Sequence, residues 1–345
     1  MSRRLFGTLG DCPVHEVTLE TASARARVIE YGAVLRDLEI RRADGTWQRV
    51  VLGLETLEDY RQHSPHFGAI AGRYANRIAG GRFVLDGSVY QLPCNQAGKH
   101  SLHGGGEGFG KRCWTILSQD AASVTLGLVS PAGDAGYPGA LTATCRYHLT
   151  GATLRIELAA ITDAPTVVNM CNHSYFNLDG SADILDHDLC VRANIMTPVD
   201  ADLIPDGSLA PVSGTPFDFR IPRPIRHAAE DGSRFWYDHN YVLRRDRREP
   251  DASGLDLAQA AVLSSAKSAL VMETWTTANC VQVYDSAKMN VPVAGLGGAQ
   301  YGPCAGLCLE TQAAPDSPNL PHLPSTVLRP GEVYRHITEY RFGVR

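Results

Sequence analysis

The sequence predicts an all-β fold, a large antiparallel β-sandwich with few short helices. Apolar and polar residues alternate along most of the chain, which is the pattern of strands with one buried face. Asp-Gly dipeptides punctuate the alternation early in the chain, and helical patterns are rare and short. An architecture of alternating strands and helices would need many more crossover helices than the sequence offers.

The early part of the chain is predicted to be a meander of hairpins. Asp44–Gly45 lies between two apolar strand-like runs, and Asp86–Gly87 joins Arg82–Leu85 to Val89–Leu92. Asp-Gly favours a tight type I′ turn because both central residues must adopt positive φ. The best helical segments are Thr56–Gln62 and Leu255–Val262.

Period-two alternation and apolar runs predict further strands along the rest of the chain. These strands are expected at Val124–Leu128, Ala143–Leu149, Leu154–Leu158, Thr166–Phe176, His187–Met196, Leu270–Thr276, Cys280–Tyr284, Leu307–Gln312 and Arg335–Phe342. No repeat and no low-complexity linker divides the chain. We therefore expect residues 1–345 to form a single domain.

Composition excludes several classes of protein. The 345 residues are 44% hydrophobic and carry 32 basic against 37 acidic side chains, a formal net charge of −5. Such a chain can build a large core, and its charge offers no field that attracts nucleic acid or an anionic membrane. No segment approaches 18 consecutive apolar residues, and the nine cysteines include no CxxC pair. These observations favour a cytoplasmic protein with free, mostly buried thiols.

Three motifs suggest cofactor or metal chemistry and fail closer inspection. Gly105–Lys111 matches the start of a P-loop, but the next residue is Arg112 instead of Ser or Thr, and no strand-to-helix context surrounds it. His63-x-x-His66 and His100-x-x-His103 lie in loop-like stretches without an HExxH motif. No GxSxG motif occurs either. We expect neither a metal nor a cofactor.

Three predicted strands carry polar side chains on one face. Because side chains alternate along a strand, the first strand presents His173, Tyr175 and Asn177 on one face. The second presents Gln282 and Tyr284, and the third presents Glu310 and Gln312. One interpretation is a half-exposed sheet edge whose polar face meets water. The other is a cleft for a neutral polyol such as a sugar, which needs many donors and acceptors and little net charge. A buried carboxylate such as Glu310 should be paired, functional or located at a wet cleft.

These segments resemble those of the aldose 1-epimerases, also called galactose mutarotases. The resemblance runs from about Gly68 to Phe342 with the motifs in the family's order. It rests on Gly72–Ile78, Asn95–Gly105, Asn172–Leu178, Tyr237–Asn240, Val281–Tyr284 and Cys308–Gln312. It implies the galactose mutarotase-like supersandwich fold. It also implies that the protein is an isomerase of hexose metabolism that needs no cofactor.

The resemblance also implies a role for each matching residue. Glu310 would be the base at the C1 hydroxyl, His173 the acid at the ring oxygen, and His103 a helper beside the reacting centre. Arg77, Asp238 and Gln282 would bind the sugar, with Asn76 in support. Tyr175 is placed among the binding residues, with packing as its alternative. Asp238 has the alternative of orienting His239, and Arg77 that of pairing with a structural carboxylate.

The predicted reaction interconverts α and β anomers of free aldoses such as galactose and glucose. Two alternatives stay open: a hexose-6-phosphate 1-epimerase, which would need further cations, and a sugar-binding protein of the same fold without turnover. The segment Asp316–Pro318 departs from the family's usual pattern, so the preferred sugar, a hexose or a pentose, is undetermined. We expect a monomer or a homodimer.

Overall fold

The computed structural model describes residues 2–228, 232–251 and 254–344. Five strands at the N-terminus form one antiparallel sheet in sequential order. They are β1 (Ser2–Leu9), β2 (Cys12–Glu20), β3 (Ala24–Ile29), β4 (Val34–Arg41) and β5 (Trp47–Arg49). The turn at Asp44–Gly45 joins β4 to β5, and Asp44 accepts a hydrogen bond from the backbone of Thr46. This confirms the first predicted hairpin but not its type I′ turn, because Gly45 has a positive φ and Asp44 does not.

One α-helix follows, α1 (Leu57–His63), close to the predicted segment. Thr56 caps it, because its hydroxyl accepts the backbone N–H of Asp59 and so satisfies a donor that the first turn leaves free. Short 3₁₀ helices occur at Ala79–Gly81, Phe109–Lys111, Asp134–Gly136, Leu296–Gly298 and Ser317–Asn319.

The strands after α1 build the remaining sheets. They are β6 (Ile70–Ala71), β7 (Arg77–Ile78), β8 (Arg82–Leu85), β9 (Ser88–Gln91), β10 (Ser101–Leu102), β11 (Thr115–Gln119), β12 (Ser123–Ser130), β13 (Leu141–Thr150), β14 (Thr153–Thr162), β15 (Thr166–Val167), β16 (Cys171–Asn172), β17 (Tyr175–Phe176), β18 (Asp188–Val191), β19 (Ala193–Thr197), β20 (Ala210–Pro211), β21 (Arg223–Pro224), β22 (Asp238–Leu243), β23 (Arg248–Pro250), β24 (Asp256–Ser264), β25 (Leu270–Thr276), β26 (Cys280–Tyr284), β27 (Leu307–Gln312), β28 (Val327–Leu328) and β29 (Tyr334–Val344).

Two large antiparallel sheets dominate the fold. The first has ten strands in the order β11-β12-β13-β14-β29-β25-β24-β18-β21, with β23 paired to β24. The second has six strands in the order β17-β27-β26-β22-β19-β20. Short two-stranded ladders, including β8 with β9 across the predicted Asp86–Gly87 turn, complete the described part. The all-β prediction is confirmed.

The two large sheets face each other across an apolar core. Phe176 of β17 lies 4.6 Å from Tyr340 of β29 between ring centroids, and Thr311 of β27 contacts Thr338 of β29 at 2.6 Å between hydroxyl oxygens. Since side chains alternate along a strand, Leu309 and Thr311 point into this core. Glu310 must therefore project from the opposite face of β27.

Three sequence expectations about elements are corrected. Leu255–Val262 is not a helix, because Asp256–Val262 belongs to β24, an inner strand whose Leu257–Ala261 stretch is buried on both faces. A short buried apolar run does not distinguish helix from strand by its period. The expected strand Thr166–Phe176 is divided into β15, β16 and β17, which pair in three different sheets. His187–Met196 likewise contributes β18 and β19 to separate sheets.

Two further observations concern composition. All nine cysteines are free and six of them are buried, which confirms the expectation for the thiols. Across the described residues, no helix has the length and apolar character needed to cross a membrane.

Candidate active site

Glu310 lies at the centre of a buried polar cluster. It is 3% exposed on β27, and the register places it directly opposite Gln282 of β26. Its Oε2 atom is 3.6 Å from Nε2 of His173 and accepts a hydrogen bond from the thiol of Cys171 at 3.5 Å. The polar faces predicted for β26 and β27 therefore form a single surface. The two residues predicted to be catalytic, Glu310 and His173, are in contact.

His173 is held by backbone bonds and by neighbouring rings. Its N–H donates to Ala69, and its carbonyl accepts the N–H of Gly68. The imidazole stacks on Tyr175 at 5.0 Å and on His66 at 5.6 Å between centroids, with interplanar angles of 19° and 20°. These contacts fix the plane of the ring, so Nε2 stays directed at the carboxyl group of Glu310.

Tyr175 supports His173 through its ring and uses its hydroxyl elsewhere. The side chain is 2% exposed, and its hydroxyl donates to the carbonyl of Pro65 at 2.7 Å. This arrangement favours the packing alternative over the predicted contact with a sugar. Asn177, on the same predicted face, donates to the carbonyls of Ser181 and Ala305 and has a structural role.

His103 is anchored to Asn76 by two hydrogen bonds, one between the two backbones and one to the His103 ring. Its N–H donates to the carbonyl of Asn76 at 3.0 Å, and its Nδ1 accepts the N–H of Asn76 at 3.2 Å. Neutral His103 must therefore carry its proton on Nε2. The ring centroid is 5.2 Å from that of His173. His103 and Asn76 adopt φ angles of 51° and 62°, which are strained for non-glycine residues and are concentrated here at the cluster.

Gly104, directly after His103, allows its chain segment to pack closely against the segment that contains Gly72. A Cβ atom at Gly104 would lie 2.0 Å from the carbonyl oxygen of Gly72, so no other residue fits there. The stretch ends in the 3₁₀ helix Phe109–Lys111 rather than in the long helix that follows a P-loop. This close backbone packing positions His103 in the cluster.

A network of charge and amide groups borders the catalytic pair. Arg77 lies 3.4 Å from Asp238, and the amide of Gln282 donates to the other oxygen of Asp238 at 2.6 Å. Nε of Arg77 also donates to Gln96 at 2.9 Å. The carboxylate that pairs with Arg77 is thus one of the predicted binding residues. Asp238 is directed at this network and not at His239, whose ring nitrogen accepts the Asp238 backbone N–H.

Two side-chain amide oxygens of this network differ in whether they accept a hydrogen bond. The side-chain oxygen of Asn76 accepts the backbone N–H of Arg77 at 2.9 Å, which orients the start of β7. The side-chain oxygen of Gln282 is buried and has no hydrogen-bond partner among the described residues. A buried acceptor without a partner is costly, and a ligand hydroxyl is one group that satisfies it.

Burial inverts the usual order of proton affinity between Glu310 and His173. It raises the pKa of Glu310 to about 8, and the nearby charge of Asp238 adds to the rise. Burial lowers the pKa of His173 to about 3, with a further contribution from His66. The pKa of His103 is held well below its ordinary value, first by burial and then by His66 and His173. Over a wide pH range the Glu310–His173 pair therefore holds a single proton.

Sequence reasoning missed His66. Its ring centroid lies 4.8 Å from that of His103, and it completes a group of three imidazoles. The HxxH pattern identified His63 and His66 only as an unconvincing metal pair. His63 instead ends α1, and His100 accepts the N–H of Gly80 away from the cluster. The backbone between α1 and β6 brings His66, but not His63, into the cluster. No sequence pattern predicts this path of the chain.

His103, His173 and Glu310 also form a possible donor set for a metal ion. One ligand atom from each lies within 4.8 Å of the others, and all three side chains are buried. Two imidazole nitrogens and a carboxylate oxygen are common ligands of Zn²⁺. The same three groups thus suit either an ion or acid–base chemistry, and chelation distinguishes these uses.

Fold and site together define an all-β protein with a buried cluster of polar and titratable side chains. Comparison with known proteins gives the family. The sequence profile of aldose 1-epimerase matches residues 15–341. The chain is 39% identical over 350 residues to a galactose mutarotase of Bos taurus, covering 100% of this chain and 99% of the relative. It is 40% identical over 323 residues to an aldose 1-epimerase of Escherichia coli, covering 91% of each.

A solved structure agrees with these sequence matches. The GalM/aldose epimerase homologue from C. elegans superposes with a TM-score of 0.88 at 27% identity, covering 95% of this chain and 98% of that one. The chain belongs to the aldose 1-epimerase family. The family, the fold and the mutarotase function predicted from the sequence are confirmed.

Proposed function

We propose that this protein interconverts the α and β anomers of free aldoses such as galactose and glucose, with Glu310 as base and His173 as acid. The observation that carries the proposal is the contact between these two buried side chains, 3.6 Å apart, beside a network of groups suited to hydroxyls. We also infer a cytoplasmic protein that acts as one domain, and the family match over residues 15–341 supports the single domain.

The proposed reaction needs one proton to leave and one to enter. Glu310 removes the proton from the C1 hydroxyl while His173 protonates the ring oxygen, and the bond between C1 and that oxygen breaks to give the open-chain aldehyde. Rotation about C1–C2 presents the other face of the carbonyl. Closure then returns both protons by the same groups, because the reverse reaction must use the same path.

The shifted pKa values support this assignment. A carboxylate with a pKa of about 8 is a stronger base than an ordinary glutamate, and an imidazolium with a lowered pKa is a stronger acid. The reactive form carries its single proton on His173. It is a tautomer of the resting form with the proton on Glu310, so sugar binding needs only to move that proton within the pair.

The binding residues fit a neutral sugar. Asp238 already balances the charge of Arg77, so the two together offer donors and acceptors without a net charge. The free side-chain oxygen of Gln282 supplies a further acceptor for a hydroxyl. A sugar phosphate would need Arg or Lys side chains that no carboxylate already pairs. This charge balance favours free aldoses over hexose 6-phosphates.

Polarimetry tests the proposal. Freshly dissolved α-D-galactose and α-D-glucose should reach their equilibrium rotation faster with catalytic amounts of protein, at an unchanged endpoint. The matched trial uses glucose 6-phosphate, whose anomerisation should be accelerated less. Acceleration of the phosphate alone would overturn the proposal in favour of a hexose-6-phosphate epimerase. Binding of sugar without any acceleration would instead indicate a protein that has lost turnover.

A further inference from the structure

Two cysteines far apart in sequence meet at the surface, away from the catalytic cluster. Cys12 opens β2, and Cys113 follows the 3₁₀ helix Phe109–Lys111. Their sulfur atoms are 3.0 Å apart, although 101 positions separate them along the chain. A disulfide bond measures about 2.05 Å, so these sulfurs need to approach each other by only about 1 Å.

Backbone hydrogen bonds hold both cysteines in place. Cys12 is paired with Leu9 in the hairpin of β1 and β2, and Cys113 forms an isolated bridge with Tyr31. On either side of Cys113, the carbonyl of Arg112 accepts the N–H of Gly32 at 2.7 Å and the N–H of Trp114 donates to Glu30 at 2.8 Å. The sulfur contact is therefore a property of the folded chain.

No other pair of thiols in the described part of the chain makes such a contact. Six cysteines are buried, and Cys94, which is partly exposed, has its sulfur directed at the carbonyl of Gly80. Cys12 is the exposed thiol, and Cys113 is partly exposed. A small oxidant in water thus reaches Cys12 first and finds a second thiol already beside it.

We propose that Cys12 and Cys113 form an oxidation site, which a peroxide converts into an intramolecular disulfide. The Cys12 thiolate attacks one oxygen of hydrogen peroxide, which breaks the O–O bond, releases hydroxide and leaves a sulfenic acid. The sulfur of Cys113 then attacks the Cys12 sulfur, displaces its hydroxyl group as water and loses its own proton. Overall, two thiols and one peroxide give one disulfide and two water molecules.

The environment of Cys113 agrees with this order of events. Burial, with the neighbouring Cys12, raises the pKa of the Cys113 thiol to about 12. Cys113 therefore stays protonated near neutral pH and does not compete for the oxidant. Because it already touches Cys12, its attack on the sulfenic acid is intramolecular and needs no high fraction of thiolate.

The crosslink would join the N-terminal hairpin to the segment that leads from His103 to β11. Closing a loop of this length restricts the unfolded chain, so the oxidised protein should unfold at a higher temperature than the reduced protein. The site does not include any residue of the catalytic cluster, so mutarotase activity should survive oxidation. This inference does not depend on the proposed function.

Peptide mapping under non-reducing conditions tests the site. The native protein is treated with hydrogen peroxide, the remaining thiols are alkylated, and the digest is analysed by mass spectrometry. We expect a linked peptide containing Cys12 and Cys113 that dithiothreitol separates. Cys12→Ser, an exposed position that should not disturb folding, must abolish that peptide, while the matched variant Cys94→Ser must keep it.

Two results would overturn the proposal. One is oxidation of Cys12 that stops at the sulfenic or sulfinic acid while Cys113 stays alkylatable. The other is a linked peptide from the native protein that joins Cys12 or Cys113 to a different cysteine, which would assign the crosslink to other thiols. A melting temperature that rises on oxidation of the native protein but not of Cys12→Ser would confirm that the bond forms within one folded chain.

Discussion

Replacing Glu310 by Gln should make the folded protein increasingly stable, relative to the wild type, as the pH rises. The folded state holds the Glu310 proton with a pKa of about 8, above the ordinary 4.5 expected of the unfolded chain. As the pH rises between these values, the unfolded state releases its proton while the folded state keeps it. This contribution to stability is therefore full below 4.5 and is lost as the pH approaches 8. The amide introduced by Glu310→Gln has no such proton to lose.

The size of the effect follows from the shift in pKa. Each tenfold change in proton affinity corresponds to about 1.4 kcal/mol, so a move from 4.5 to about 8 gives an upper limit of about 5 kcal/mol. We therefore expect the free energy of unfolding of Glu310→Gln to gain about 2 to 5 kcal/mol on the wild type between about pH 4 and about pH 9.

Urea denaturation followed by the fluorescence of the four tryptophans measures this difference. Glu58→Gln on the exposed surface of α1 is the matched control, because this carboxyl group is not buried and its removal should not give the gain expected of Glu310→Gln. If the stability difference for Glu310→Gln is equally flat, the carboxyl group of Glu310 is not buried in the way described. A difference that moves in the opposite direction would refute the reasoning altogether.

Three further predictions concern activity. His173→Asn should lower kcat by about 10² to 10⁴, the range for a positioned acid, in a polarimetric assay, and unchanged turnover would remove His173 from the mechanism. In the wild type, kcat/KM should fall as the pH rises through about 8, because the pair then loses its last proton from Glu310; a rise there would contradict the shared proton. Prolonged dialysis against a chelator should leave activity unchanged, whereas a loss restored by Zn²⁺ would assign His103, His173 and Glu310 to a metal.

Much of the site could be predicted because strands place alternate residues on one face. The polar faces of β26 and β27 followed from the period of two, and the register then set Gln282 opposite Glu310. The unusual cost of a buried carboxylate identified Glu310 as important. Which strands pair, and that Asp238 would reach Arg77 across 161 positions, depends on long-range topology, for which the residues alone give no local signal.

The features that the sequence pattern did not predict have local physical reasons. The buried stretch of β24 contains small apolar residues on both faces, so its pattern does not favour a strand over a helix. His66 enters the cluster with a φ of 72°, a conformation that propensities disfavour for histidine. Tyr175 is polar by type, but its hydroxyl is used by the Pro65 carbonyl, and only three-dimensional contacts could show this.

The central claim is that Glu310 and His173 move the two protons of ring opening. Polarimetry of α-D-galactose with Glu310→Gln, combined with calorimetric titration of the same variant with the sugar, tests it most directly. We expect that turnover is lost while the sugar still binds, since Arg77, Asp238 and Gln282 remain in place. Normal turnover by Glu310→Gln would assign the base to another residue.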